Sequence, residues 1–384
     1  MNKKIGIYIH IPFCISKCYY CDFVSFTNTE ENIIKKYIDT VCNEILQNTE
    51  ILSEYEISSI YFGGGTPSYI DSKYIIKILD TLKLFLGKDI SEVETTIEVN
   101  PNSASEEKLT SYFNNGINRI SIGLQSTYDD ILKKIGRQHT YADFLNTLKL
   151  CKKIGFKNLS ADIIYPLPGL NLSRFKTSLN DIMKLKDEYN IKHVSIYNLE
   201  LHEGTKLDFL IKQGYETLVD EDEEMQMKRL LENILENNGY INYEISNFAI
   251  NGYESKHNLN YWNQGEYLGF GVNASSFIAG TRYTNTANLN DYMVSTNSGN
   301  VQIYQKEELD KLALMKEYVI LKLRLKNGFN TDTFKTKFKV SVDSLFKSSI
   351  DKLVDLKLLQ IDNKNIFLTQ KGRDLANIVW EEFI

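Results

Sequence analysis

Cysteine is scarce in this 384-residue chain. There are five in all, an odd number, and three of them fall between positions 14 and 21. A disulfide framework is therefore excluded as the organising device, and the usage fits a reducing compartment. Long apolar runs are missing as well. No 18 consecutive residues are apolar, and the start, Met1-Asn2-Lys3-Lys4 followed at once by a strand-like run, has no signal-peptide core. These absences exclude a hydropathy-evident membrane span and make cytoplasmic residence the expectation. Net positive charge is lacking too: 44 Lys and Arg against 50 Asp and Glu leave −6, where a general nucleic-acid binder is expected to be basic. No nucleic-acid partner is expected. What is present, 42% hydrophobic and 24% charged residues, is ordinary for a globular protein, and the length allows one large core plus a smaller unit.

The three clustered cysteines are Cys14, Cys18 and Cys21, spaced CxxxCxxC directly after an apolar run over residues 5–11 that reads as a buried strand. Thiolates are soft ligands, and several together select zinc, copper(I) or iron–sulfur iron. A structural zinc centre closes four ligands, and this motif supplies three, with His10 the candidate for a fourth. Three thiolates on a four-iron cluster instead leave one iron open to a small molecule. The spacing favours the cluster. Cys42 and Cys151 lie in helix-like stretches and read as core thiols.

Strand-like and helix-like stretches alternate through the first half. Strands are expected over residues 5–11, 58–62, 94–99, 119–123, 159–165 and 193–199, with helices over 30–47 and 72–86 and from about 105, 128, 141 and 171. Six β/α units in succession mean parallel strands with right-handed crossovers, so the fold class is α/β and the economical architecture a partial (β/α)6 barrel. Reactive loops in such folds hang from the C-terminal ends of the strands. Beyond residue 199 the pattern changes: an acidic run, 220–224, opens a helix to about 238, a strand is expected over 240–245, and a glycine-rich stretch follows at 268–274. A boundary is expected between 291 and 305, where Ser, Asn and Gly concentrate. The expected division is 1–290 and 300–384. The second unit, with helices near 306–323, 332–338 and 341–356, strands over 359–361 and 366–369 and a last helix from about 371, reads as winged-helix-like with a structural or lid role.

Four stretches together carry a resemblance: Tyr8-Ile9-His10-Ile11-Pro12-Phe13-Cys14 with its two following cysteines, the aromatic pair before Cys21, Gly63-Gly64-Gly65-Thr66-Pro67, and Glu98-Val99-Asn100-Pro101. They resemble the radical S-adenosylmethionine (SAM) superfamily and, within it, the HemN/HemW family. The resemblance runs by motif from Ile5 to about Phe277 and more loosely to the C-terminus. It implies a [4Fe–4S] cluster on Cys14, Cys18 and Cys21. It also implies a SAM site formed by Gly64, Gly65 and Thr66 at the methionine moiety, Glu98 at the ribose, and Gln125, Arg137, Asp162, Tyr8 and Tyr20 around them. A bare glycine backbone suits close approach to a ligand, and a guanidinium fork suits a carboxylate.

Two readings of function follow from the resemblance. One branch of the family is coproporphyrinogen dehydrogenase, a radical SAM oxidoreductase that decarboxylates a porphyrinogen. It carries a further cysteine where this chain has Phe23, and a long N-terminal extension where this chain has four residues before its first strand. The other branch is the haem chaperones, which show the CDF seen here at Cys21-Asp22-Phe23 and an HNxxYW motif matched by His257-Asn258-Leu259-Asn260-Tyr261-Trp262. Imidazole is a common axial ligand of haem iron and aromatics suit a planar macrocycle, so His257, Tyr261 and Trp262 are the candidate haem residues. His10, His139, His193 and His202 have no such company. The favoured expectation is a carrier of haem b for acceptor haemoproteins such as respiratory cytochromes. Its partners would include a flavodoxin or ferredoxin as electron donor, the membrane surface where such cytochromes lie, and a second copy in a homodimer.

Overall fold

The computed structural model describes residues 3–87 and 89–384. Six strands, β1 (Lys3–Ile11), β2 (Tyr55–Gly64), β3 (Glu94–Val99), β4 (Arg119–Gln125), β5 (Leu159–Tyr165) and β6 (Ile191–Asn198), pair in sequence order and all in parallel. Helices α1 (Glu31–Gln47), α2 (Ser72–Lys83), α3 (Glu106–Asn114), α4 (Tyr141–Ile154) and α5 (Leu172–Leu185) supply the crossovers. The (β/α)6 architecture expected from the alternation is the one observed. Ile5, Ile7, Ile9 and Ile11 on one face of β1 have no exposure, and Gly6 and His10 on the other are buried too, as expected of a strand covered on both faces. The apolar stripe of α1, Ile34, Tyr37, Ile38, Val41 and Ile45, packs against the sheet. Helix starts follow the capping residues: Asp71, Ser105 and Asn171 each accept a backbone N–H of the first turn, and Thr140 and Asp143 form a reciprocal capping box.

The sheet extends well beyond these six. Strands β7 (Ile241–Asn242), β8 (Asn247–Ala249), β9 (Glu266–Phe270), β10 (Ser275–Ile278), β11 (Thr281–Asn285) and β12 (Ile303–Glu308) complete twelve strands in the order β12-β11-β10-β9-β1-β2-β3-β4-β5-β6-β8-β7. Several expectations are corrected here. The glycine-rich stretch opens on the last residues of β9, which lies parallel to β1. The strand expected over 240–245 is two residues of β7, followed by a turn into β8. Strand β12 pairs with β11 across the expected boundary, so the helix expected from 306 begins only at α8 (Lys311–Leu323), capped by Asp310. Between them, helix α6 (Glu221–Asn237) follows its acidic cap, and the HNxxYW stretch forms a short helix, α7 (Lys256–Trp262).

Residues of α8 and beyond gather a second hydrophobic cluster, including Tyr318, Phe329, Phe334, Phe346, Leu353 and Phe383, around a three-stranded sheet of Phe329–Asn330, Leu359–Asp362 and Asn365–Leu368. This cluster is fastened to the large sheet around the end of α7. The Arg324 guanidinium lies between two indoles, 4.5 Å from the Trp262 ring and 4.6 Å from that of Trp380. Lys337 donates to Gln264 Oε1 at 2.9 Å and Lys322 to Asn263 Oδ1 at 2.6 Å, while Arg282 of β11 pairs with Glu317 of α8. Among the described residues no helix is long and apolar enough to cross a membrane.

Candidate functional site: a cysteine-lined cavity at the strand ends

A cavity of about 540 Å³ opens at the C-terminal ends of the parallel strands. Parallel pairing puts those ends on one side, so loops far apart in sequence meet there. Cys14, Cys18, Tyr20, Cys21, Gly64, Gly65, Thr66, Glu98, Gln125, Arg137 and Asp162 all line it. The structure thus brings together eleven of the fifteen residues singled out from the sequence.

The cysteine loop and the glycine loop are stitched to each other. The Gly65 N–H donates to Ile11 O at 2.9 Å, the Thr66 N–H to Phe13 O at 2.9 Å, and the Thr66 hydroxyl to Cys14 Sγ at 3.4 Å. A Cβ on Gly65 would come within 2.9 Å of Cys14 Sγ and of the Pro12 backbone, so only glycine permits this contact. Gly64 has φ +110°, and a Cβ there would enter the His10 ring at 2.6 Å.

His10 itself is buried. Its Nε2 faces Val24 O at 3.1 Å and its Nδ1 the Tyr8 hydroxyl at 3.2 Å, so the neutral Nε2–H tautomer satisfies both, and burial takes its pKa down to about 4. With both nitrogens engaged, His10 is no fourth ligand for zinc. Among the described residues no three His, Cys, Asp or Glu side chains are placed to hold a single metal ion. Three soft thiolates with no fourth protein ligand beside them fit a cluster in which each takes a separate iron and one iron stays open. Burial also pushes the Cys21 thiol up to about 11 and that of Cys14 upward, so a cationic partner is what would ionise them.

Two carboxyls face the cavity from β3 and β5, on either side of β4. Glu98 accepts from the Tyr61 hydroxyl at 2.9 Å, and burial, with nearby Asp162, raises its pKa to about 7. Asp162 accepts from the Ser121 hydroxyl at 2.9 and 3.0 Å and from the Ser160 hydroxyl at 3.0 Å, and burial raises its pKa too. Gln125 ends β4 at φ +63°, next to a register shift against β5, and its Oε1 is buried without a partner. A glutamine in this left-handed conformation is held there by its surroundings. Arg137 Nε and Asn100 Oδ1 are also buried and unpartnered. A cavity walled by unpaired polar atoms, two carboxyls and bare glycine backbone fits a polar, charged ligand such as SAM.

Four expected residues lie elsewhere. Tyr8 does not line the cavity; it stands behind it, its hydroxyl toward His10 and its ring stacked on Tyr61 at 6.3 Å. His257, Tyr261 and Trp262 belong to α7, on the flank of the sheet. His257 is 2% exposed, its Nδ1 is 2.9 Å from Ser59 Oγ and its Nε2 2.8 Å from the Tyr261 hydroxyl. Burial takes its pKa down to about 3. As folded here, neither nitrogen is free for iron, and Trp262 is covered by Arg324. Residues not assigned to the site from sequence include Ser121, Asn100, Asn198 and His202, all lining the cavity. For Asn100 and Ser121 the signal was present, since each lies on or just beyond an expected strand.

The radical SAM superfamily signature matches residues 8–182, and that of the HemN C-terminal domain matches residues 309–375. Similar curated proteins include the heme chaperone HemW of Lactococcus lactis subsp. lactis, 36% identical over 384 residues that span 100% of this chain and 98% of the relative. The heme chaperone HemW of Bacillus subtilis is 32% identical, spanning 98% of each. Among solved structures, the fold resembles coproporphyrinogen III oxidase (HemN) of Escherichia coli, a radical SAM enzyme, with a TM-score of 0.86 at 22% identity over 100% of this chain and 90% of that one. Superfamily membership implies SAM and a [4Fe–4S] cluster. With full-length identity above 30% to these relatives, the chain belongs to the HemW family of radical SAM proteins.

Proposed function

We propose that this protein is a haem chaperone, which takes up haem b and delivers it to acceptor haemoproteins. The observation that carries this reading is the full-length likeness to relatives named heme chaperone. Phe23, standing where the dehydrogenase branch has a further cysteine, supports it. Cys14, Cys18 and Cys21 would hold the cluster. Gly64, Gly65 and Thr66 would present backbone to the amino-acid end of SAM, Glu98 would accept from ribose hydroxyls, and Arg137 would face a carboxylate. Tyr20, Gln125 and Asp162 would close the remaining walls. Bound together, the cluster and SAM would supply one-electron chemistry; what the chain itself does is orient them and hold beside them the Glu98 carboxyl, whose proton affinity burial raises. In this reading the protein works in the cytoplasm and meets respiratory cytochromes at the membrane surface. A flavodoxin or ferredoxin sets the cluster's redox state, and self-association is checked by sedimentation.

The test is to reconstitute the chain anaerobically, load it with haem, and mix it with an apo-haemoprotein. Transfer of haem, with no decarboxylation of coproporphyrinogen III in the presence of SAM and reductant, is the expected result. Failure to take up haem, or formation of decarboxylated porphyrin, overturns the reading.

A further inference from the structure

Of the five histidines, four are closed off: His10, His139, His193 and His257 are each no more than 4% exposed, and each is hydrogen-bonded. The fifth, His202, lies in the loop after β6 at the mouth of the cysteine-lined cavity, with its side chain 40% exposed. Its ring stands between two carboxylates. Nδ1 is 3.6 Å from Asp22 Oδ2 and Nε2 is 3.6 Å from Glu200 Oε2. Both separations are longer than a direct hydrogen bond, so neither nitrogen is occupied, and one can meet a metal while the carboxylate beside the other orients the ring.

The surroundings suit a flat apolar ligand. Phe23, next in sequence to Asp22, is 59% exposed and Ile15 is 46% exposed, and both line the same mouth with Leu199. Large apolar side chains left open to water around a cavity rim mark a binding surface. Lys17 also lines the mouth, its Nζ donating to Phe23 O at 3.1 Å, and places a cation beside the apolar surface. The rim is held firmly: the Leu207 N–H donates to Tyr19 O at 2.7 Å, joining the His202 loop to the cysteine loop. An accessible imidazole, an apolar wall and an adjacent ammonium are what iron, macrocycle and propionates respectively require.

We propose that haem docks across the mouth of the cavity with His202 as its axial ligand, rather than at His257. This inference rests on the haem-chaperone reading and assigns its cargo a place: directly over the SAM and cluster cavity, so that loaded haem covers the entrance.

The test titrates ferric haem into the anaerobically reconstituted full chain and compares the wild type with His202→Ala, His257→Ala and Phe23→Ser. His202 and Phe23 are exposed, so those variants keep the fold. Expected for His202→Ala is loss of the nitrogen-ligated haem spectrum and a rise in Kd of at least about tenfold. Free imidazole should restore the spectrum. Phe23→Ser should weaken binding with the spectrum unchanged, and His257→Ala should retain the wild-type spectrum. A His202→Ala protein that binds haem with wild-type affinity and spectrum overturns the site while leaving the chaperone reading intact. A wild type that takes up no haem overturns both.

Discussion

The Tyr261 hydroxyl lies 2.8 Å from His257 Nε2, with the two rings edge to face at 4.9 Å. Ser59 on β2 holds the other nitrogen, so the imidazole bridges α7 to the parallel sheet. His257→Ala is expected to lower folding stability by about 2–4 kcal/mol, because it empties a buried site and leaves two hydroxyls without a partner. Denaturant unfolding of the apo-protein measures this. A loss below about 0.5 kcal/mol would contradict a structural role for the ring.

Gly64→Ala is expected to disturb the glycine loop at its tightest point. The positive φ alone costs roughly 1–2 kcal/mol for alanine, and the new methyl displaces the His10 ring. SAM binding, followed by equilibrium dialysis on reconstituted protein, should weaken by roughly tenfold while the iron content stays unchanged. Unaltered SAM affinity would remove this loop from the proposed SAM site.

Iron content separates the five cysteines. Cys14→Ala, Cys18→Ala and Cys21→Ala are each expected to lose most of the roughly four irons per chain found after reconstitution. Cys42→Ala and Cys151→Ala, whose thiols sit in helices α1 and α4 inside the core, should keep them. A wild type that binds one zinc and no iron would sink the cluster assignment.

The pH dependence of stability has a readable contribution from Glu44 on α1. Its carboxyl is buried, accepts from the Gly271 N–H, the Asn285 amide and the Tyr292 hydroxyl, and is pushed up to about 7 by that burial. Between the ordinary carboxylate value of 4.5 and about 7, the folded chain keeps a proton that the unfolded chain has released. Stability from this group is therefore complete at the acid end and falls as pH rises, by up to about 3 kcal/mol, with no further change above. Unfolding midpoints at pH 5, 6, 7 and 8 should show a shallower decline for Glu44→Gln than for wild type. Parallel curves would place the titration elsewhere.

The first half of the fold was readable because its signals are local. The runs at 94–99 and 159–165 coincide with β3 and β5, and the caps at Asp71, Ser105 and Asn171 mark helix starts. The second half depends on partners far away in sequence. In β9, Gly269 reads as loop, yet a Cβ there would strike Ser275 O at 2.2 Å, so the glycine is required by a neighbouring strand. Every residue of β12 is exposed, so it shows no alternation of apolar and polar positions to betray an edge strand. The site divides the same way. Strand ends located the cysteines, Glu98, Gln125 and Asp162, whereas the exposure of a histidine is a property of the packed chain. The aromatic neighbours of His257 set it apart from His202 in sequence, yet only the packed surroundings distinguish a bridging ring from an open one.

The chain has two tryptophans in all, and both lie against the same guanidinium, that of Arg324. Intrinsic indole fluorescence is therefore an unlabelled reporter of one junction, where the C-terminal segment meets α7. Any event that parts the two, whether cargo loading, acceptor contact or reduction, would be visible as a change in that emission before the fold itself is lost.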